Sequence, residues 1–163
     1  MKKKKSWQEK LSDNKGLPKI ATITPKMAGK TGEKWGGKVG DTVVIPAPVE
    51  VDEIMRKIPF GKIITINEIR AFLAKEHHAT ICCPITTGIF AWLSAHAAEE
   101  QKASNNTCAT PYWRTLKSGG EINPKYPGGI EYQKKLLESE GHKIIQKGKK
   151  FFVADYKKCL LII

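Results

Sequence analysis

Thiols and imidazoles are the side chains of this sequence that could do nucleophilic or metal chemistry. A thiol attacks only as the thiolate, so it needs a neighbouring base or a helix N-terminus that lowers its pKa. A structural zinc site needs cysteines and histidines at short, regular spacings. The sequence has four of each: Cys82, Cys83, Cys108, Cys159, His77, His78, His96 and His142. They form no C-x-x-C pair and do not combine at metal-ligand spacing, which predicts reduced thiols and neither a metal nor a disulfide framework.

Two places in the chain are candidates for a reactive thiol. Cys82 and Cys83 precede a predicted helix, and a helix N-terminus favours a thiolate. Cys108 lies four residues before Tyr112, in the segment that carries the aromatic pair described next. For each of these thiols the more frequent alternative is burial as a small apolar side chain.

The aromatic pair Tyr112 and Trp113 stands next to Arg114. Aromatic rings that stack on nucleobases contribute about 1 to 3 kcal/mol per base. The alternative is structural, with both rings closing a turn in the core and Arg114 paired with an acid such as Glu140. The residue types alone fit both interpretations.

Composition and charge narrow the class of protein. The chain has 163 residues, a formal net charge of +12 and 40% hydrophobic residues, enough for a core and against wholesale disorder. Residues 1–50 hold 11 lysines and 5 acids, residues 111–163 hold 11 basic and 5 acidic side chains, and the middle is balanced. Two basic ends predict a surface that binds a polyanion, with nucleic acid favoured. A lysine-rich surface that only keeps the protein in solution fits the same counts.

No apolar tract approaches the roughly 20 residues that a transmembrane helix needs. The basic start at residues 2–5 is followed by Ser6 and Trp7 rather than by the apolar stretch of a secretory signal. The sequence therefore predicts a cytoplasmic protein.

The elements that must position these side chains follow from hydrophobic spacing and turn residues. Residues 1–48 are rich in Lys, Gly, Pro and Thr in irregular order, and we expect a loop with a short helix over residues 6–11 and a strand over residues 42–45. Apolar residues then recur at helical spacing from Val51 until Pro59 ends the helix.

The next two predicted helices form a helix-turn-helix candidate. The second helix begins at Thr65, which forms a capping box with Glu68, and ends near Glu76. The third begins at Pro84, a favourable first-turn residue, and ends near residue 101. Its predicted core stripe consists of Ile85, Ile89, Trp92 and Leu93.

Another face of the third helix carries only small side chains: Gly88, Ala91, Ala95 and Ala98. Such a stripe fits the close approach of a nucleic-acid groove or of a neighbouring helix. Downstream, the pattern predicts a helix over residues 130–140 and a hairpin over residues 144–153 that turns at Gly148. This hairpin carries Lys147, Lys149 and Lys150, and beside a helix-turn-helix it has the form of a DNA-binding wing.

Short motifs then fall in a recognisable order between residues 51 and 154, about two thirds of the chain. They are Ile58 to Gly61, the Thr65 cap, Pro111 with Arg114, Ser118 with Gly119, Tyr126 to Gly129, and Leu136 to Gly141. Their joint order resembles the DNA-binding domain of the alkylguanine-DNA alkyltransferase family. The resemblance implies a mainly α winged helix-turn-helix domain with a small β hairpin over residues 49–163, preceded by a basic N-terminal extension, residues 1–48.

The chain departs from that family where the chemistry is done. The family transfers an alkyl group from guanine to the cysteine of a Pro-Cys-His-Arg motif, and the matching positions here hold Tyr112 and Trp113. A phenol with an ordinary pKa of about 10 does not replace a thiolate beside a base. The residues matching the family's base-rotating tyrosine and stack-filling arginine are Ile66 and Ile85. We therefore expect no transfer by the family's route.

The resemblance thus points to a divergent member of the alkyltransferase-like branch, which binds alkylated DNA without repairing it. That branch has a tryptophan at the cysteine position and keeps the histidine, whereas the tryptophan here comes one residue later, at Trp113. The resemblance implies a monomeric, non-catalytic protein that binds double-stranded DNA without a cofactor, recognises alkylated guanine and acts with other repair proteins. The residues it implies for DNA or base binding are Tyr112, Trp113, Arg114, Tyr126, Gly88, Ala91, Lys147, Lys149 and Lys150. Asn105 and Glu140 are implied as a structural network. The alternative is a methylated-DNA–protein cysteine methyltransferase that uses a displaced thiol, Cys108 or Cys82/Cys83.

Overall fold

Helices and short strands alternate along the chain, and the computed structural model describes residues 2–28 and 35–163. The helices are α1 (Trp7–Ser12), α2 (Pro25–Met27), α3 (Pro48–Arg56), α4 (Ile66–Glu76), α5 (Pro84–Ala103), α6 (Gly129–Ser139) and α7 (Tyr156–Cys159). Two 3₁₀ turns, Tyr112–Arg114 and Ser118–Gly120, lie between α5 and α6. Within the described residues, no helix is long and apolar enough to cross a membrane.

The strands are β1 (Lys19–Thr22), β2 (Thr42–Ile45), β3 (Ile64–Thr65), β4 (Ile81–Cys82), β5 (Thr115–Leu116), β6 (Ile144–Lys147) and β7 (Lys150–Val153). They form three small sheets in the described part of the chain. β2 pairs antiparallel with β1 and parallel with β4, β3 pairs parallel with β5, and β6 and β7 form an antiparallel hairpin. The fold is therefore mixed α/β, and the prediction of a mainly α fold with a single hairpin was too narrow.

Local signals in the sequence start the central helices. The Thr65 side chain accepts a hydrogen bond from the N–H of Asn67, and Glu68 binds back to the backbone N–H of Thr65, so the predicted capping box of α4 is confirmed. Pro84 occupies the first turn of α5 as predicted. The hairpin is also confirmed, and its turn contains Gly148 at φ +62°.

The first 48 residues contain more structure than predicted. The short helix and the strand at residues 42–45 are confirmed, but β1 lies in a segment expected to be loop. β1 forms because it finds an antiparallel partner in β2, a non-local pairing that turn residues do not reveal. Part of the predicted loop, residues 29–34, lies outside the described residues. The division of the chain at residue 49 stays a prediction, although β2 and β4 pair across it.

The predicted core stripe of α5 is only partly buried, and its small-residue stripe packs against a neighbouring helix, one of the two expected partners. Ile85 and Ile89 are 55% and 50% exposed, whereas Leu93 is buried. The small side chains Ala91, Ala95 and Ala98 are at most 1% exposed and share the main core cluster with α3. The neighbouring helix therefore occupies the small-residue stripe, and an isoleucine face is left on the surface.

Candidate functional site

The 3₁₀ turn at Tyr112–Arg114 carries the aromatic pair and the arginine singled out in the sequence. The Tyr112 side chain is fully buried, and its ring meets the rings of Trp113 and Tyr126 edge to face, at centroid distances of 5.6 and 5.4 Å. Its hydroxyl donates a 2.7 Å hydrogen bond to Oε1 of Glu99. Burial raises the pKa of Tyr112 far above its ordinary value, and the bond to Glu99 raises it further. Tyr112 is therefore a neutral phenol fixed in the core.

This burial changes the predicted role of two aromatic residues. Tyr126 is 3% exposed and Tyr112 is 0% exposed, so neither side chain presents a face to a bound base in this conformation. Burial likewise raises the pKa of Tyr126. Trp113 is only partly buried. Both tyrosines pack in the core, and their predicted role in base binding stays a prediction.

Glu99 and Lys102 complete the surroundings of Tyr112. Lys102 Nζ lies 3.1 Å from Glu99 Oε1 and 4.7 Å from the centre of the Trp113 ring. Sequence reasoning missed both residues. Their spacing of three along a predicted helix was a signal for an ion pair, but not for its contact with the turn.

Glu140 joins the turn to two other segments. It accepts hydrogen bonds from Trp113 Nε1 at 2.7 Å, from Arg114 Nε at 3.0 Å and from the backbone N–H of Gly61 at 3.1 Å. Arg114 Nη1 also donates to the carbonyl of Ile58 at 2.6 Å. The guanidinium of Arg114 is thus engaged on two sides. The ion pair of Arg114 with Glu140 is confirmed, and contact of this arginine with DNA stays a prediction.

The electrostatics of Glu140 follow from these donors. Burial by itself raises its pKa, but the hydrogen bonds from Arg114, Trp113 and Gly61 and the charge of Arg114 outweigh it, so the pKa lies below the ordinary value. The carboxylate side chain is only 4% exposed. It is therefore a buried anion that the turn neutralises.

Gln133 and Asp52 brace the segments on either side of the turn, and sequence reasoning missed both. Gln133 Nε2 donates to the carbonyl of Trp113 at 3.1 Å, and its Oε1 accepts the N–H of Asn123 at 3.0 Å. The hydroxyl of Thr110 donates to Asp52 Oδ1 at 2.8 Å, just before the turn.

Asn105 lies elsewhere than predicted. It is exposed at the end of α5 with φ +60°, and its backbone N–H donates to the carbonyl of Lys102. A left-handed residue at this place ends the helix, which asparagine tolerates well. The structure places Asp52, rather than Asn105, beside the turn.

A groove of about 1020 Å³ lies between α4, α5 and residues 117–125. Its lining consists of Ile66, Asn67, Arg70, Pro84, Ile85, Gly88, Ile89, Trp92, His96, Lys117, Ser118, Asn123, Pro124 and Lys125. The exposed isoleucine face of α5 thus forms one wall. Gly88 lies in the same wall and has no side chain to fill the groove. Ala91 faces the core instead, and its contact with DNA stays a prediction.

Cations stand at the rim of this groove. Arg70 is held by the carbonyls of Cys82 and Trp35, at 2.9 and 3.0 Å, and burial lowers its pKa. Lys117 forms a 3.2 Å ion pair with Glu121, whereas Lys125 is exposed. An apolar wall with a positive rim suits a ligand that carries both flat apolar rings and negative charge.

The hairpin presents its lysines to solvent. Lys147, Lys149 and Lys150 are all exposed. Lys150 Nζ lies 3.5 Å from Glu121, and Lys147 Nζ lies 5.6 Å from the centre of the Phe152 ring. Part of the charge of Lys150 is therefore compensated within the fold.

The four thiols differ in access. All are free, with Cys82 and Cys83 buried and Cys108 exposed. Burial raises the pKa of Cys82 to about 11, which keeps that thiol protonated and unreactive at neutral pH. Among the described residues, no group of three His, Cys, Asp or Glu side chains could hold a metal ion.

No protein-family model matches the chain. No curated protein matches it significantly by sequence.

Two solved structures resemble the fold. One is S. pombe Atl1 in complex with damaged DNA containing O6-carboxymethylguanine, with 22% sequence identity and a TM-score of 0.52. The other is S. pombe ATL in complex with DNA, with 21% identity and a TM-score of 0.53. Each likeness covers 71% of this chain and 94% of the other. At these identities the likeness is one of fold.

Proposed function

We propose that this chain is an alkyltransferase-like protein that binds double-stranded DNA, recognises alkylated guanine for repair, and does not transfer the alkyl group. The observation that carries the proposal is the turn at residues 112–114. On a fold like that of Atl1, which was solved with O6-carboxymethylguanine DNA, the nucleophile's position holds a buried tyrosine bound to Glu99. A neutral phenol in the core has neither the charge nor the access for alkyl transfer.

The arrangement of elements supports a winged helix-turn-helix. α4 and α5 supply the helix pair, α5 presents its N-terminal half to solvent, and the hairpin of β6 and β7 supplies the wing. In such domains the second helix enters a DNA groove. Ile85 and Ile89 then face the duplex.

An extruded base has space in the groove beside α5. The opposite wall contains Ser118, Asn123 and Pro124, which offer hydrogen-bonding groups and an apolar face. Extruding a base costs a few kcal/mol, and an alkyl adduct that weakens base pairing lowers this cost. We propose the groove, rather than a pocket around Tyr112 and Tyr126, as the base receptor.

The proposal is tested by titrating the chain against matched duplexes with guanine or O6-alkylguanine. We expect a preference for the lesion of about fourfold for a methyl group, since each buried carbon contributes about 0.8 kcal/mol, and a larger preference for longer alkyl groups. Fluorescence of 2-aminopurine beside the lesion is expected to rise as the base leaves the stack. Equal affinities without this rise would leave a general DNA-binding domain.

Mass spectrometry of the same mixtures tests for transfer. We expect no cysteine to gain the alkyl mass. Cys108 is the exposed thiol nearest the turn in sequence, and its exposure is what favours the alternative of a methyltransferase with a displaced nucleophile. A stoichiometric mass gain that a Cys108→Ser change abolishes would establish that alternative and overturn the proposal.

The wing makes a separate prediction. Changing Lys147, Lys149 and Lys150 to glutamine is expected to weaken duplex binding and to lower the salt-dependence slope by about two, at about 0.9 per phosphate contact, because Lys150 is partly engaged by Glu121. A matched control changes the exposed lysines Lys57, Lys62 and Lys157, which line no described part of the groove. If the hairpin variant kept the native salt-dependence slope, the wing would not contact the DNA.

A further inference from the structure

The N-terminal helix α1 is docked on the same helix that forms the groove wall. The Trp7 ring stacks on His96 at a centroid distance of 4.4 Å and meets Trp92 edge to face at 5.1 Å. Leu11 is buried with Leu93 and Ala97, and Trp7 packs against this cluster. Trp92 and His96 also line the groove, so the docking site and the groove share one helix face.

Polar contacts fix the position of α1 as well. Glu100 accepts the backbone N–H groups of Trp7 and Gln8, at 3.1 and 2.9 Å. Gln8 Nε2 donates to the carbonyl of Ala97 at 2.7 Å, and Gln101 donates to Gln8 Oε1 at 2.9 Å. Because a carboxylate satisfies the first N–H groups of α1, this short helix is held in one register on α5.

The docking of α1 places lysines of the N-terminal segment beside the exposed isoleucine face of α5, on the side away from the larger groove. A depression of about 580 Å³ contains Lys5, Lys10 and Lys15 together with Ile89 and Trp92. Ile89 and Trp92 are also in the lining of the larger groove, so they form the ridge between the two depressions. Lys117 and Lys125 stand on the far side of that ridge. The exposed face of α5 is therefore bordered by cations on both sides.

We infer that the docked N-terminal segment, residues 2–15, is a second phosphate-binding wall, which contacts the DNA backbone on the flank of α5 opposite to Lys117 and Lys125. The inference rests on the proposed DNA binding. A helix that lies in a DNA groove has a sugar-phosphate backbone on each side, and cations on both flanks match this pair of anionic rows. The exposed Lys2, Lys3 and Lys4 continue the same wall.

The charge of this wall is tested by changing Lys5, Lys10 and Lys15 to glutamine. We expect the salt-dependence slope for a duplex to fall by about two, since Lys5 shares its charge with Asp13 at 2.7 Å. Neutral methylphosphonates in one backbone flank should then weaken the native chain more than the variant. The control with Lys57, Lys62 and Lys157 changed to glutamine removes the same charge elsewhere and should keep the native slope.

The placement of the wall is tested by Trp7→Ala, which keeps every lysine but removes the ring that docks α1. We expect this variant to lose most of the same slope while its melting temperature remains well above the assay temperature. A native slope in the lysine variant overturns the inference alone. A native chain that shows no salt-dependent duplex binding overturns the proposed function instead, so the two failures are distinguishable.

Discussion

Replacing Glu140 by glutamine is expected to lower the free energy of unfolding by about 3 to 5 kcal/mol, the usual cost of removing one partner from a buried ion pair. The substitution keeps the size of the side chain but leaves the guanidinium of Arg114, which is only 14% exposed, without its anion. A carboxylate at the C-terminal end of α6 also opposes the helix dipole. The hydrogen bonds from Arg114 and Trp113, and not an interaction with the helix dipole of α6, stabilise the Glu140 carboxylate at this position. Urea unfolding of both proteins measures the difference.

The pH dependence of stability provides a second readout of Glu140. Its pKa in the folded chain is lowered from the ordinary 4.5 that we assign to the unfolded chain. Its contribution is therefore fully present above about pH 4.5 and is lost as the pH falls through the folded pKa. We expect the native chain to lose stability on acidification more steeply than Glu140→Gln does.

Glu138→Gln is the matched control, because Glu138 is an exposed carboxylate in the last turn of the same helix. A surface change of this kind usually alters stability by no more than about 0.5 kcal/mol. If Glu140→Gln cost as little as Glu138→Gln, Glu140 would not neutralise the turn as the geometry indicates.

Helices α1 and α3 to α6 were predictable from the sequence because their signals are local, whereas the short helices α2 and α7 were not predicted. The capping box at Thr65 and the proline at position 84 specify where α4 and α5 begin, independently of the rest of the chain. The sheets were less predictable. β3 and β5 are two residues long and pair across about 50 residues of chain, so no local pattern marks them.

The faces of α5 could not be assigned from periodicity. This helix carries one stripe of large apolar residues and another of alanines, and either could be the buried one. Packing decided in favour of the alanines, because their small size lets α3 approach closely. Ile85 and Ile89 were assigned to the core from the sequence, but they are exposed and form the candidate binding face.

The site was predictable in part. The resemblance located the turn at residues 112–114 and its partner Glu140, because their order along the chain is that of a family motif. Glu99 and Gln133 reach the turn across 13 and 20 residues, and Asp52 binds Thr110, just before the turn, across 58 residues. Their residue types are common on helix surfaces, and only the fold shows that they point inward.

Changing Ile85 and Ile89 together to glutamate is expected to weaken duplex binding at least about 100-fold, which corresponds to about 2.8 kcal/mol. Both side chains are about half exposed, so the substitution is expected to leave folding intact. Two carboxylates would replace the apolar contact with base edges and repel the phosphates that border the DNA groove. Fluorescence anisotropy with a labelled duplex at fixed salt measures the loss.

Two further variants decide what the isoleucine face contributes. Changing Ile162 and Ile163 together to glutamate adds two carboxylates at side chains that are 93% and 49% exposed and lie outside the groove lining, so this variant controls for the change in net charge. Ile85→Ala shortens the side chain without adding charge. If Ile85 is an apolar wedge between base steps, this variant keeps the salt slope but loses both the 2-aminopurine signal and the preference for the lesion. Should the Ile85/Ile89 glutamate variant bind as well as the Ile162/Ile163 glutamate variant does, α5 would not face the duplex, and the interface would have to lie on another surface of the fold.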